Sequence, residues 1–284
     1  MLDPRLLRTF VAIADTASFT RAAKRLNSTQ STVSQHLGRL EAGLGQSLID
    51  RSSRPIATTA SGERLLGYAR RLLSLQDEAQ ALLADPWGTS TIRIGVPDDV
   101  VTSAMSQCFA RFAARHREIR LDVTTGLSRD LKRRFRAGEF DIAIVKEAVT
   151  DGDARASFPE PLAWFGPAGS EVLRDPVPLV TFPPGGLYRD VMIARMERER
   201  RRWYIAFTGS SLGSVLSAVE AGLGVAVLPV STTGAHAVSV STMFGPEAAL
   251  SLSIYAWEAS GATGDLLHDM MNVTAVRSNN QGYV

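Results

Sequence analysis

Residues 19–45 read FTRAAKRLNSTQSTVSQHLGRLEAGLG, and they carry the clearest structural pattern in the chain. Apolar residues recur at a helical interval in the first part of this stretch. After a break at Asn27-Ser28, a second apolar stripe runs from Val33 to Leu44 at intervals of four, three and four residues. The pattern predicts two short helices joined by a tight turn, the second of which ends at Gly45.

The second of these helices has a polar outer face. Rotation by about 100° per residue places Ser31, Gln35 and Arg39 opposite the apolar stripe, with Ser34 at its flank. Such side chains can form hydrogen bonds with base edges in the DNA major groove. Any three-helix bundle with polar outer faces would show similar spacing, so the periodicity leaves a plain bundle and a DNA-binding unit both open.

A helix pattern precedes this pair, over residues 4–16, and a hairpin pattern follows it, with Arg51 and Arg54 near the tip. Residues 1–59 contain eight Lys and Arg against four Asp and Glu, a local net charge of +4 in a chain whose net charge is +2. A basic segment favours phosphate. Residues 1–59 are therefore predicted to form one domain, for which a winged helix-turn-helix DNA-binding domain and a plain helical bundle both remain open.

A long helix is predicted next, over residues 60–85, followed by a hinge that extends to residue 90. Its apolar positions follow a three-then-four spacing, and so much exposed apolar surface requires a partner. We predict that residues 60–90 join two copies of the chain. The residues at the expected dimer contact are Leu65, Tyr68, Leu72, Leu75 and Leu82.

Strand and helix patterns alternate in the remainder of the chain, which predicts an α/β domain with a parallel sheet over residues 91–284. Such sheets bind ligands beyond the carboxyl ends of their strands, where helix N-termini also converge. The polar residues predicted at such positions are Asp98, Asp99, Ser103, Ser128, Lys146, Ser210 and Ser211. Each could instead be an ordinary loop or N-cap residue. The ligand's charge stays open, because Lys146 invites an anion whereas the two aspartates invite a donor.

The remaining chemistry is sparse. Cys108 is the single cysteine, and its position near Phe109 and Phe112 favours a buried core thiol over a sensor. The four histidines have no metal-ligand spacing, so we expect neither metal nor cofactor. The chain has no apolar run of the roughly 18 residues that a membrane span needs and no signal-peptide core, so a cytoplasmic protein is expected.

Several stretches resemble the LysR-type transcriptional regulators. Residues 19–26 and 29–41 look like the signature of that family, and residues 48–62 continue it in register. Residues 138–143 and 220–229 look like its effector-binding domain, which is similar to periplasmic solute-binding proteins.

The resemblance implies a sequence-specific regulator with a two-lobed effector domain. One lobe would hold about residues 91–163 and 261–284, the other about 164–260, and a small-molecule inducer would bind in their cleft. The implied partners are double-stranded DNA with an interrupted palindromic operator, a dimer or tetramer of the chain itself, and RNA polymerase. The expected DNA-binding residues, of which Gln30 rests on the resemblance alone, are Gln30, Ser31, Ser34, Gln35, Arg39, Arg51 and Arg54.

Two other classes of protein share a two-lobed binding fold. An enzyme would need a nucleophile and base or a metal cluster, and the sequence displays no such set of residues. A transport binding protein would need an export signal and would not carry residues 1–85. We therefore expect a regulator rather than either alternative.

Overall fold

A computed structural model describes the chain over residues 2–84, 90–169, 175–232 and 236–279. Residues 85–89, part of the predicted hinge, lie outside this description. Contacts divide the chain into an N-terminal unit, Met1–Thr91 with Arg133–Phe140, and a C-terminal unit, Ile92–Lys132 with Asp141–Val284. Among the described helices, none is both long enough and apolar enough to cross a membrane.

Three short helices open the N-terminal unit, and they are α1 (Pro4–Thr16), α2 (Phe19–Arg25) and α3 (Gln30–Leu44). Each follows an N-cap residue whose side chain accepts a hydrogen bond from a first-turn backbone N–H, and these caps are Asp3, Ser18 and Thr29. The helix α3 ends where Gly45 adopts a left-handed φ of 65°. Phe10, Val33 and Leu37 are fully buried where the three apolar stripes meet.

A two-stranded wing follows α3, with β1 (Ile49–Asp50) antiparallel to β2 (Ala57–Thr58). Glu41 of α3 fixes the wing, because its Oε1 accepts hydrogen bonds from the backbone N–H groups of Leu48 at 2.9 Å and Ile49 at 3.3 Å. A Cβ atom at Gly62 would lie 2.1 Å from the Leu48 carbonyl oxygen, so this close approach requires glycine. The predicted winged helix-turn-helix is confirmed.

The long helix α4 (Ala60–Ala84) runs for 25 residues. Leu66 and Ala69 are buried in the core that α1 to α3 form. The helix therefore has one side in that core and another side facing solvent.

The first sheet of the C-terminal unit contains the strands β3 (Ser90–Val96), β4 (Ile119–Thr125), β5 (Ile142–Glu147), β6 (Ala156–Glu160) and β12 (Leu250–Ala256). Their order across the sheet is β4-β3-β5-β12-β6. The strands β3 and β5 are parallel, whereas β12 is antiparallel to both β5 and β6, so the sheet is mixed rather than parallel as predicted. The helices in this part of the chain are α5 (Ser103–Arg115), α6 (Ser128–Arg136) and α9 (Gly261–Asn279).

A second lobe of the same unit contains β7 (Leu162–Pro167), β8 (Val177–Thr181), α7 (Leu187–Arg198), β9 (Trp203–Thr208), α8 (Leu212–Glu220), β10 (Ala226–Pro229) and β11 (Val238–Val240). The strands form an antiparallel sheet of order β10-β7-β11 and a parallel pair β8-β9. Trp164, Leu179 and Val215 are buried in the core of this lobe.

The position of β12 corrects the predicted lobe boundary. Sequence analysis assigned residues 250–256 to the second lobe, but this strand lies inside the first sheet, between β5 and β6. Its partners, such as Ile144 opposite Ile254, are far away along the chain, and a local pattern does not reveal such a pairing. The short strands β6, β7 and β11 were not predicted either.

Candidate functional site

The outer face of α3 presents polar side chains to solvent. Gln30, Ser31, Gln35 and Arg39 are exposed, whereas Ser34 is half-buried. The Gln30 side chain is held from α2, because the hydroxyl of Thr20 donates a hydrogen bond to Gln30 Oε1 at 3.1 Å. The helix face that was predicted to be polar from rotation about the helix axis is therefore accessible to solvent.

The two arginines of the wing are exposed but already contact the protein. An Nη2 to Oε2 distance of 3.2 Å pairs Arg51 with Glu41, and the Arg51 guanidinium lies 5.7 Å from the centre of the Phe19 ring. Arg54 Nη1 donates hydrogen bonds to the Arg51 and Ser53 carbonyl oxygens at 3.0 and 3.1 Å. The Arg51 guanidinium is thus oriented by α2 and α3, and that of Arg54 by the wing itself.

Asp50 orders the turn of the wing that carries these arginines. Its carboxylate accepts hydrogen bonds from the Ser52 and Ser53 hydroxyls at 2.6 and 2.5 Å and from the Ser52 backbone N–H at 2.9 Å. These hydrogen bonds, that of the Ser52 hydroxyl most of all, lower the pKa of Asp50 to about 2. The carboxylate therefore keeps its charge, and the turn keeps its acceptor, throughout the neutral range.

An apolar stripe on α4 faces solvent. Tyr68, Leu72 and Leu75 are 60%, 44% and 36% exposed. Leu65 differs from the prediction, because it is half-buried against the N-terminal core rather than on the stripe. Leu83, which the sequence analysis did not single out, is 86% exposed, whereas the side chain of Leu82 lies outside the described part of the chain.

A cavity of about 380 Å³ lies in the C-terminal unit, where residues of both lobes meet. Six of the seven predicted effector residues line it, and the one that does not is Ser103, an exposed residue at the start of α5. Ser103 lies apart because a 3-10 turn at Asp98–Val100 and the N-cap Thr102 come between it and β3. The complete lining is Pro97, Asp98, Asp99, Thr125, Gly126, Leu127, Ser128, Lys146, Phe182, Pro183, Gly186, Leu187, Tyr188, Ser210, Ser211 and Leu212.

Lys146 lies within β5 rather than beyond its end, and its side chain is only 3% exposed. Its ammonium pairs with the Asp99 carboxylate, lies 3.4 Å from Glu160 Oε1 and donates to the Tyr188 hydroxyl oxygen at 2.5 Å. The backbone N–H of Lys146 also donates to Ser128 Oγ at 2.9 Å. The lysine is therefore a buried anchor between several elements.

The Asp99 carboxylate beside Lys146 is held in its charged form. Burial would raise the pKa of Asp99, but the charge and hydrogen bond of Lys146, with the charge of Arg277, lower that pKa below its ordinary value. Burial, followed by the charges of Asp99 and Glu160, raises the pKa of Tyr188 well above its ordinary value. Tyr188 therefore stays protonated and donates to Asp99 at 3.0 Å.

Arg277 of α9 completes this cluster. Its Nη2 lies 2.6 Å from Glu160 Oε1, and its Nη1 donates to the Asp99 carbonyl oxygen at 2.8 Å. Sequence analysis missed Arg277, Glu160 and Tyr188. The rule that ligands bind at strand ends could have found Tyr188, because it follows β8 and opens α7, but no local pattern points to the other two.

Asp98 and the N-terminus of α8 meet at the edge of the cavity. The Leu212 backbone N–H donates to Asp98 Oδ2 at 3.3 Å. Ser211 caps α8 through a reciprocal capping box with Ser214, and Ser210 before it is exposed. The predicted Ser210 and Ser211 thus lie opposite Asp98 on the second lobe.

Cys108 is fully buried in the first-lobe core, as predicted. Burial, and to a smaller extent the charge of Asp269, raises the pKa of its thiol. Among the described residues, no group of three or more His, Cys, Asp or Glu side chains could hold a metal ion.

Comparison with known proteins gives matches along most of the chain. Residues 4–63 match the family "Bacterial regulatory helix-turn-helix protein, lysR family", and residues 88–252 match "LysR substrate binding domain". The transcriptional regulator DgdR of Burkholderia cepacia is 33% identical over 80% of this chain and 78% of its own length. A probable hydrogen peroxide-inducible genes activator of Mycobacterium avium is 32% identical over 81% and 79%.

Solved structures share the fold. Full-length LysG from Corynebacterium glutamicum, with bound effector Arg, aligns with a TM-score of 0.65 at 20% identity over 96% of this chain and 98% of that one. ArgP from Mycobacterium tuberculosis aligns with a TM-score of 0.62 at 21% identity over 97% and 98%. The predicted fold class is thereby confirmed, and from the two family matches and the relative of 33% identity we conclude that the chain belongs to the LysR family of helix-turn-helix transcriptional regulators.

Proposed function

We propose that this regulator binds its operator through α3 and the wing, and that a small inducer occupying the C-terminal cavity controls this binding. The observation that carries the proposal is the two-sided character of α3. Val33 and Leu37 are fully buried in the bundle, while Gln35 on the opposite side is free to enter a major groove.

The roles within the DNA-binding surface follow from side-chain chemistry. Amides and hydroxyls suit base edges, whereas guanidinium groups suit phosphates. We assign Gln30, Ser31, Ser34 and Gln35 to the bases, and Arg39, Arg51 and Arg54 to the backbone. Arg51 would have to share its charge between Glu41 and a phosphate.

The assembly is proposed from the α4 stripe. Leu72 and Leu75 would remain in water unless a second copy covered them. A dimer would hold two copies of α3 at a fixed separation, which fits an interrupted palindrome. A tetramer and a contact with RNA polymerase rest on the family resemblance.

A retardation assay tests the function. The full chain is titrated onto overlapping segments of the DNA upstream of its own gene, at physiological salt, beside scrambled duplexes, and a metabolite panel is then added. We expect one segment to bind at least about a thousandfold more tightly than scrambled DNA, and one metabolite to change that affinity. Equal binding to all duplexes would contradict a regulator, and chemical conversion of the active metabolite would favour an enzyme.

A further inference from the structure

The walls of the C-terminal cavity are mainly apolar. Phe182, Leu187 and Tyr188 contribute them from the second lobe, and Leu127 contributes from the first. A volume of about 380 Å³ is at the small end of the range for ligand pockets. The cavity thus suits a small ligand with an apolar body. The charged groups of the cavity determine which charge the polar group of that ligand carries.

Lys146 has no donor left for an anionic ligand. A lysine ammonium carries three N–H donors, and the three partners around Lys146 are Asp99, Glu160 and the Tyr188 hydroxyl. An incoming carboxylate would have to displace a buried carboxylate from this cation. Such a displacement would leave Asp99 or Glu160 buried with less compensation, which is costly.

The buried charges around Lys146 cancel. Lys146 and Arg277 supply two positive charges, and Asp99 and Glu160 supply two negative charges. Asp98 then remains as the uncompensated charge of the lining, because in the described part of the chain no cation pairs with it. The cavity therefore has a net charge of −1.

Asp98 also occupies one of the helix N-termini of the second lobe that line the cavity, a place that would attract an anion. The N-terminus of α8 carries a partial positive charge, but Asp98 Oδ2 already accepts from the Leu212 N–H there at 3.3 Å. The first lobe thus supplies its own carboxylate to this helix end. A ligand carboxylate at that position would meet Asp98 at close range.

We propose that the inducer carries a cationic group, such as a protonated amine or a guanidinium, beside a small apolar body, and that this group pairs with Asp98. The proposal rests on the proposed function of the cavity as the inducer site, and it specifies the chemical class of the inducer. The apolar part of the ligand lies against Phe182, Leu187 and Tyr188. The Lys146 cluster forms the neutral floor of the site.

The test compares probes that share one apolar body and differ in charge. Binding of 2-phenylethylammonium, 3-phenylpropanoate and 2-phenylethanol to the full chain is measured by calorimetry, with isopentylammonium and 4-methylpentanoate as an aliphatic pair. We expect each ammonium probe to bind at least about fivefold more tightly than its carboxylate counterpart. In the isosteric variant Asp98→Asn this ratio should fall to about one or invert, because the variant loses the negative charge that attracts the ammonium and repels the carboxylate.

The variant Asp122→Asn is the matched control, since Asp122 is an exposed carboxylate of β4 that does not line the cavity. It should keep the wild-type ratio. Carboxylates that bind the wild type as well as the ammonium probes do, or a ratio that Asp98→Asn leaves unchanged, would overturn the proposal while leaving the cavity as a ligand site. Failure of every probe to bind would overturn both the proposal and the assignment of the cavity.

Discussion

At the scale of single residues, Gln35 offers a direct test of base recognition. Its side chain is exposed on the outer face of α3, where truncation should leave the fold intact. Gln35→Ala should weaken operator binding by about 1–3 kcal/mol, the typical value of a bidentate base contact, and leave binding to scrambled DNA unchanged. Fluorescence anisotropy with both duplexes at one salt concentration measures the difference.

Arg54→Ala is the matched comparison for Gln35→Ala. A lost phosphate contact should weaken binding to both duplexes and reduce the slope of log K against log salt by about one. If Gln35→Ala also weakened both duplexes equally, Gln35 would be a backbone contact rather than a base contact.

Lys146 should matter mainly for stability. Lys146→Met leaves Asp99 and Glu160 buried with only Arg277, so the free energy of unfolding should fall by about 3–5 kcal/mol. Urea denaturation at pH 7 measures it. The matched control is Arg129→Met, which removes an exposed pair with Asp190 and should cost about 0–1 kcal/mol.

The pH dependence of stability provides a second measurement on the Lys146 cluster. The pKa of Asp99 is lower in the folded chain than its ordinary value of 3.8, so its contribution is fully present above that value. The contribution is lost as the pH falls from that value through the lower, folded pKa, because the unfolded chain takes up the proton before the folded chain does. The stability of the wild type should therefore fall more steeply below about pH 4 than that of Asp99→Asn. Parallel curves for the two proteins would contradict this assignment.

Cys108 should take no part in sensing peroxide, although one relative is named as a probable hydrogen peroxide-inducible activator. A buried thiol with a raised pKa has little thiolate and no access to oxidant. Cys108→Ala should lower the free energy of unfolding by about 0.5–1.5 kcal/mol. Operator binding by the wild type and the variant should be equally insensitive to peroxide, and rapid alkylation of the folded wild type would count against this prediction.

Residue types at strand ends predicted most of the cavity but not the roles of its members. Lys146 was identified as a cation beside the ligand site, yet its partner Glu160 comes from β6, and the second cation of the cluster, Arg277, comes from α9 at the other end of the chain. Pairing between segments so far apart leaves no trace in local spacing. The sequence could therefore place charges near the cavity, but it could not determine their sum.

At the scale of elements, α4 makes the clearest prediction. Covering the exposed part of each leucine contributes about 1 kcal/mol, and an aspartate at either position would add a desolvated charge, so Leu72→Asp combined with Leu75→Asp should convert the oligomer into monomers. Sedimentation velocity measures the change. A wild-type dimer at micromolar concentration would at the same time exclude the tetramer.

The control for this double variant is Gln80→Asp. Gln80 is an exposed residue of α4 that lies about 140° around the helix from Leu75. The variant should assemble like the wild type. An unchanged oligomer in the double variant would show that the α4 stripe is not the dimer contact.

Elements with local signals were predicted well, and elements defined by distant partners were not. The caps Ser18 and Thr29 and the stop at Gly45 set the bounds of α2 and α3 from within a few residues. The edge strand β6 contains Pro159, a residue that counts against a strand in a sequence pattern, and its pairing with β12 identifies it as a strand. The sequence of β12 alternates between apolar residues and serine from Leu250 to Ile254, but a local pattern does not show which sheet the strand joins.

At the scale of the whole molecule, the spacing of half-sites reports on the assembly. Insertion of about 5 base pairs between the half-sites turns one half-site by about half a helical turn relative to the other. Wild-type binding to the full operator should therefore fall sharply, and it should recover in part when about 10 base pairs are inserted. The monomeric α4 variant should bind all three spacings, and a single half-site, with similar affinity. A wild type that tolerates the 5-base-pair insertion would contradict a rigid pair of recognition helices.

The insertion of β12 between β5 and β6 has a consequence for synthesis on the ribosome. A nascent chain that has reached residue 84 already contains every segment of α1 to α4, but the first lobe lacks a strand inside its sheet until residue 256 has emerged. Contacts between such distant segments form slowly, because a long loop must close first. Translation therefore completes the DNA-binding segment well before the effector-binding segment. A chain interrupted between the two would be able to bind DNA without responding to an effector.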